Sequence, residues 1–328
     1  MQTINIRNNT MKKSLLIAFI FRLCFLTACK HECKVVKQTY PNGQVKELRI
    51  YPNCDDTTYF LRQHFYDNGQ MSSEGHYKNY DKVGKFRSWA SNGHLTADWQ
   101  VVNGKEDGYI QCWYDNGNKK RQCTLINGLV NGLKNEWFEN GKKASTGNCK
   151  NGKRQGKFFT WEENTKDWYL KTYKDDSLWG ETIEHHYDST GNKKEIVVGQ
   201  YENGKETGIW KWFDKDSILT ETVIYVKGVL NGNIIRYYSS GKIESIEPLT
   251  DGMDDGTCKY FDENNNLTET VVYVKNKRIG DLTKYYSNGK PKSITPYKND
   301  LVDGVCKYYD NKGTLTKTEI YKKGKLQK

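Results

Sequence analysis

The sequence predicts an all-β protein, an elongated antiparallel β-meander of about twelve stacked hairpin repeats of ~24 residues. Three observations predict it. A glycine pair spaced G-x-x-x-G has its second member at Gly84, Gly108, Gly132, Gly156 and Gly180, an interval of 24. After a slip of four residues the series resumes at Gly208, Gly232, Gly256, Gly280 and Gly304. An Asn-Gly dipeptide recurs between those pairs, at Asn42-Gly43, Asn68-Gly69, Asn92-Gly93, Asn116-Gly117, Asn140-Gly141 and Asn288-Gly289. The runs beside it are rich in aromatic and β-branched residues, as in Trp113-Tyr114, Trp137-Phe138, Tyr237-Tyr238 and Tyr285-Tyr286. A fixed internal period decides fold class before any local signal does.

Each unit reads as two strands. Asn-Gly between strand-like runs predicts a type I′ hairpin turn, which needs positive φ at both central residues. The second connection, such as Gly104 to Gly108, reads as a five-residue glycine-bounded loop, also of hairpin length. A strand about every 12 residues with tight turns at both ends makes a continuous meander. Outside the N-terminus no segment carries a 3.6-residue apolar period, so little helix is expected.

The pattern G-x-aromatic-x-x-aromatic-aromatic-x-N-G-K, followed by a polar strand and N-G-K-x-x-G, resembles the MORN repeat. It is most similar to the bacterial variant found in YwqK-family antitoxins of toxin–antitoxin modules. The resemblance covers residues 35–328 and implies a non-enzymatic binding array. It also implies an antitoxin or immunity role, neutralising a toxin by direct binding.

In chain order, residues 1–28 read as a signal peptide of lipoprotein type, with its start expected at Met11. Lys12-Lys13 forms a basic region, Ser14 to Phe21 a short apolar core, and Leu26-Thr27-Ala28-Cys29 resembles a lipobox. Cys29 is then the lipidated first residue of the mature chain. A membrane-spanning anchor would need roughly 18 apolar residues, more than Arg22 leaves uninterrupted. Residues 29–34 are a short linker and 35–328 the repeat array. The expected place is the bacterial cell envelope, anchored by lipid on a periplasmic or surface face.

Residues 1–28 hold Arg7, Lys12, Lys13 and Arg22 and no acids, so the formal charge falls from +11 to +7 on the mature chain. Lysines cluster after the Asn-Gly turns (Lys119-Lys120, Lys142-Lys143, Lys193-Lys194) with acids dispersed between them. That reads first as a solvated sheet protected from edge pairing. A basic face for an anionic lipid or an acidic partner is the second reading. Nucleic acid is not expected.

Of nine cysteines, Cys24 leaves with the signal and Cys29 carries lipid. The remaining seven cannot all pair. Cys258 and Cys306 hold the same repeat position two units apart, roughly 19 Å in such a sheet. A disulfide spans about 7 Å at most between Cα atoms, so these two act as small apolar fillers. Their inward site is Phe86 and Leu282 elsewhere. Cys33 with Cys54 is the pair to test.

No catalytic constellation, metal set or cofactor motif is expected. Gly152-Lys153-Arg154-Gln155-Gly156-Lys157 is one residue short of a phosphate-cradling loop and precedes a strand. His185 and His186 are adjacent in a strand and point to opposite faces. Asp251 to Gly256 fills a loop slot and does not match a calcium loop. Tyrosine is the commonest aromatic, 23 against 11 Phe and 9 Trp. That suits a thin core with one wet face, and equally a recognition surface. The least regular stretch, Lys166 to Lys194, supplies the candidate partner contacts Trp168, Tyr169, Trp179, His185 and His186. The expected partner is a protein, a toxin in the antitoxin reading, or a surface component. A homodimer through exposed edge strands is also expected.

Overall fold

The computed structural model describes residues 31–328. The proposed signal, Cys29 and the first part of the linker lie outside the described residues. Among these residues there is no helix. The chain divides into two compact units, ending and beginning at Gly117 and Asn118. Each is an antiparallel meander in which strands pair in chain order, a longer strand reaching past a two-residue one where these occur, as Gly132–Trp137 does past Leu129–Val130 to Lys119–Ile126.

The two connections of each repeat exchange the roles the sequence suggests for them. At the Asn-Gly sites only the glycine is left-handed, with φ between 79° and 88° at Gly43, Gly69, Gly93, Gly141 and Gly289. The Gly43 N–H donates to the Tyr40 carbonyl and the Tyr40 N–H to the Gln44 carbonyl. This is a type I turn closed by a glycine bulge, not a type I′ turn. Its asparagine stays right-handed because its side chain is already committed. Asn68 Oδ1 accepts from the Gln70 N–H at 3.0 Å, while its Nδ2 donates to the Ser91 carbonyl of the next unit at 3.0 Å. Asn92 and Asn288 do the same towards Asp115 and Asn311.

The type I′ turns occur instead at the first member of each glycine pair. Asn103-Gly104, Asn203-Gly204 and Asp251-Gly252 each have two consecutive positive φ values, and Val102 faces Lys105 across the first of them. The predicted five-residue loop is therefore a two-residue turn. The second glycine, such as Gly108 at φ 83°, makes the strand bulge that follows.

Within each unit a tyrosine ladder ties repeat to repeat. The Tyr40, Tyr66, Tyr238 and Tyr286 hydroxyls donate to the carbonyls of Phe65, Trp89, Phe261 and Tyr309, at 2.6–2.9 Å. Several tyrosines thus have a structural reason that the sequence reading left open.

The four-residue slip between Gly180 and Gly208 is absorbed by lengthening strands. Ser177–Tyr187 and Lys193–Glu202 run to 11 and 10 residues, against eight for Lys143–Lys150. From Gly180 to Gly191, and again from Gly191 to Gly208, the chain is two residues longer than in the regular unit. Two residues is one full period of a strand, so no side chain changes face.

In each unit the core is a row of inward side chains. In the first unit Tyr51, Phe60, Tyr77, Phe86 and Trp99 follow one another with ring centroids 5.4–5.6 Å apart. Arg49 and Arg62 lie over the Phe60 and Tyr77 rings, both paired with the buried carboxylate of Glu47. In the second unit the row includes Phe158, Thr182, Val197, Trp210, Val223, Cys258, Val271 and Cys306. Cys33, singled out with Cys54 as the pair to test, is disulfide-bonded to it with Cα atoms 5.3 Å apart. Cys258 and Cys306 are free and 2% exposed. Burial, then the carboxylates of Asp254 and Glu247, push the Cys258 thiol up to about 11, so it stays protonated.

Candidate functional site

The hairpin joining strands Lys153–Trp161 and Trp168–Lys174 differs from the other turns of its kind. Elsewhere a register shift precedes the turn, as between Ser88 and Trp89, Glu136 and Trp137, or Lys284 and Tyr285. Here the pairing runs without a shift from Gly156 opposite Tyr173 to Trp161 opposite Trp168. The residue that other units place in a strand bulge goes into the loop. The Glu162 N–H reaches the Asp167 carbonyl at 3.0 Å, one residue further than in the regular turn.

Strand alternation then decides which rings meet. Phe158 points inward, so Phe159 and Trp161 point outward. Trp168 stands directly opposite Trp161, and His185 directly opposite Trp168. The four rings form one outer platform. Phe159 lies 6.0 Å from Trp161 at 18° and 6.3 Å from Trp168 at 36°. Trp168 stacks on His185 at 3.9 Å and 15°. Burial, then the charges of Lys193 and His186, holds the His185 imidazole below its ordinary value, so it is neutral at pH 7. Beside the platform lies a recess of about 380 Å³ lined by Trp161, Trp168, the turn residues Glu162, Thr165, Lys166 and Asp167, and the neighbouring Lys142 and Lys143.

The five expected contact residues separate into three groups. Trp168 and His185 share the platform. Tyr169 and His186 lie on the inward side, rings 5.7 Å apart and edge-on. There His186 sits 3.7 Å from Asp167 Oδ2 and 3.6 Å from Glu184 Oε2. Lys171 pairs with Glu184 at 3.1 Å and lies over the Tyr169 ring. Burial, followed by the carboxylates of Asp167, Glu162 and Glu184, raises the Tyr169 hydroxyl. Trp179 stands apart, its ring capped by Lys174 at 4.6 Å. Sequence reading missed Phe159 and Trp161. Their signal is alternation, since in Phe158-Phe159-Thr160-Trp161 the two outward positions are both aromatic.

Some lysines that follow the turns are held against rings. Lys119 and Lys143 both lie over Trp137, and Lys292 over Tyr286, at 5.5–5.8 Å. The segment resembling a phosphate loop is the type I′ turn Asn151-Gly152 and the strand after it. Among the described residues no group of three or more His, Cys, Asp or Glu stands together as a metal site. No helix among them is long and apolar enough to cross a membrane.

Among the described residues these features define a class: an antiparallel hairpin-repeat sheet that presents side-chain surfaces. Residues 61–79, 254–275 and 278–299 match the family described as MORN repeat variant, so these segments are MORN-type repeats. No curated protein matches it by sequence. Among solved structures it is similar to a chain of the crystal structure of TcdB2-TccC3-Cdc42, at 10% identity over 88% of this chain and 21% of that one, TM-score 0.18. A chain of TcdB2-TccC3-TEV gives 11% identity over 88% and 17%, TM-score 0.20. A chain of the Photorhabdus luminescens Tc holotoxin pore gives 9% over 88% and 19%, TM-score 0.18. The chain spans about a fifth of the length of those chains, and no partner follows from them.

Proposed function

We propose that this chain is a non-enzymatic interaction scaffold, held by lipid at the bacterial cell envelope, that binds a protein or surface component there through one face of its sheet. The observation that carries the binding role is the outward platform of Phe159, Trp161, Trp168 and His185. Aromatic side chains give the largest contact energy for the entropy lost on binding, and these four are ordered before any partner arrives. Anchoring is supported by Leu26-Thr27-Ala28-Cys29 alone.

Metabolic lipid labelling with fractionation tests the anchor, comparing the natural chain with Cys29→Ser. Label in a membrane fraction that vanishes in the variant supports it. An unlabelled, soluble product rejects it and moves the second reading forward. That reading is an antitoxin or immunity protein, and it rests on the resemblance to YwqK-family proteins. Pairing of two copies through open strand edges belongs to the same proposal, and a monomeric mass by light scattering rejects it.

A further inference from the structure

We propose that the recess beside Trp161 and Trp168 binds carbohydrate, with the flat face of a sugar ring stacked on the platform and its hydroxyls read by the turn. This rests on the interaction-scaffold reading and names the chemistry that one part of the surface takes.

Shape is the first reason. Trp161 and Phe159 are within 18° of parallel, and Trp168 and His185 within 15°. Phe159 is 37% exposed, so part of the surface is open. The C–H bonds on one side of a pyranose carry slight positive charge, and the face of an aromatic ring is negative. Flat rings at the surface suit that contact, whereas an apolar peptide anchor would need a pocket to enter.

Polarity is the second. Lys142, Lys143, Lys166, Glu162 and Asp167 line the rim. Lys143 lies over Trp137, Lys166 Nζ donates to the Gly191 carbonyl at 2.9 Å, and the Asp167 carboxylate is taken by the Tyr187 N–H and His186. That leaves the exposed Lys142 and Glu162, one cation and one carboxylate, facing a ligand. A phosphate-rich lipid surface calls for unopposed cations. A near-balance of donors and acceptors suits hydroxyls, which do both.

Backbone pairing is the third. Strand Lys153–Trp161 is hydrogen-bonded to Lys143–Lys150 on one side and Trp168–Lys174 on the other. Trp168–Lys174 is likewise paired on both sides. No edge is open here for an added peptide strand. The recess, about 380 Å³, is within the usual range of small-ligand sites, roughly 300–1,000 Å³. It exists because this turn alone among those compared lacks the bulge.

The intact chain should be screened on an array spanning hexoses, N-acetylhexosamines and uronic acids as oligosaccharides. Affinity is then measured by calorimetry for the best oligosaccharide. Binding is expected to weaken about tenfold or more in Trp168→Ala and Trp161→Ala, corresponding to loss of a central aromatic anchor. It should weaken several-fold in Lys142→Ala, an exposed site whose change leaves folding intact. Trp179→Ala should leave it unchanged. A blank array overturns the proposal, as does sugar binding indifferent to Trp161, Trp168 and Lys142. Binding of phosphatidylglycerol vesicles or of a proline-rich peptide that these variants abolish, with no sugar bound, assigns the platform to lipid or protein instead. The lipid-labelling result stands apart: an anchored chain with a blank array loses only the sugar site.

Discussion

Two regions fill the same inward site by different means. From Glu47 to Trp99 the row is large rings, with Arg49 and Arg62 laid over them and Glu47 holding both. From Cys258 to Cys306 it is small side chains, Cys258 facing Val271 and Cys306 beside Thr295. The backbone pattern is the same in both. What differs is how volume is divided between neighbouring strands. Where the inward residue is Phe86, Phe158 or Trp210, the residue across from it is Gly75, Gly147 or Gly199, and any Cβ there would run into the ring. Where the inward residue is Cys258 or Cys306, the equivalent place, nine residues before Gly256 or Gly304, holds Glu247 or Thr295 in place of glycine. Close packing constrains the pair, so either member alone can vary widely.

The strongest way to break the contrast is to empty a ring site. Trp210→Ala, in a cluster with Val197 and Val223, should cost about 3–5 kcal/mol in denaturant unfolding. Gly147→Ala should cost about 1–3 kcal/mol by overpacking against Phe158, and Phe158→Leu should recover part of that loss. Additive losses in the double variant would end the pairing account.

The Glu47 cluster belongs to the ring region, and removing its charge sharpens the comparison. Glu47 is 3% exposed and bonded to Arg49 and Arg62 at 2.8 and 2.9 Å. Burial pushes its carboxyl up, but the hydrogen bonds and charges of the two arginines outweigh that and hold it below 4.5. A carboxyl depressed in the folded state stabilises at pH above its unfolded value. That contribution falls away as pH drops below 4.5 through the folded value. Glu47→Gln should therefore destabilise residues 31–117 by about 3 kcal/mol at pH 7. The difference from the natural chain should shrink in acid. A difference constant with pH would show that packing, not charge, is lost.

Smaller effects probe sites that the two regions treat alike. The Thr182 hydroxyl is fully buried and has no hydrogen-bond partner. Thr182→Val should raise stability by about 1 kcal/mol, read as a higher denaturation midpoint. Tyr286→Phe removes one rung of the hydroxyl ladder to Tyr309 and should lower stability by about 1 kcal/mol. An unchanged midpoint there would reduce the ladder to a by-product of packing.

The period, the strand content and the cysteine column are legible in the chain, because residue spacing and aromatic runs are local signals. The turn types are not. Asn103-Gly104 and Asn92-Gly93 are the same dipeptide, yet the first is a type I′ turn and the second a type I turn with a glycine bulge. The choice is made by the next unit, whose carbonyl takes the Asn92 amide. The candidate contacts divide for a related reason. Trp168 and Tyr169 are neighbours in sequence and back to back in the sheet, and the missing bulge brings Trp168 to Trp161. Glycine spacing alone makes this chain a stack of about 24-residue hairpins and marks where each one turns. Which side chains share a face depends on contacts between strands. Each bulge shifts the strand alternation by one residue, and whether a bulge forms depends on hydrogen bonds to a strand elsewhere in the chain.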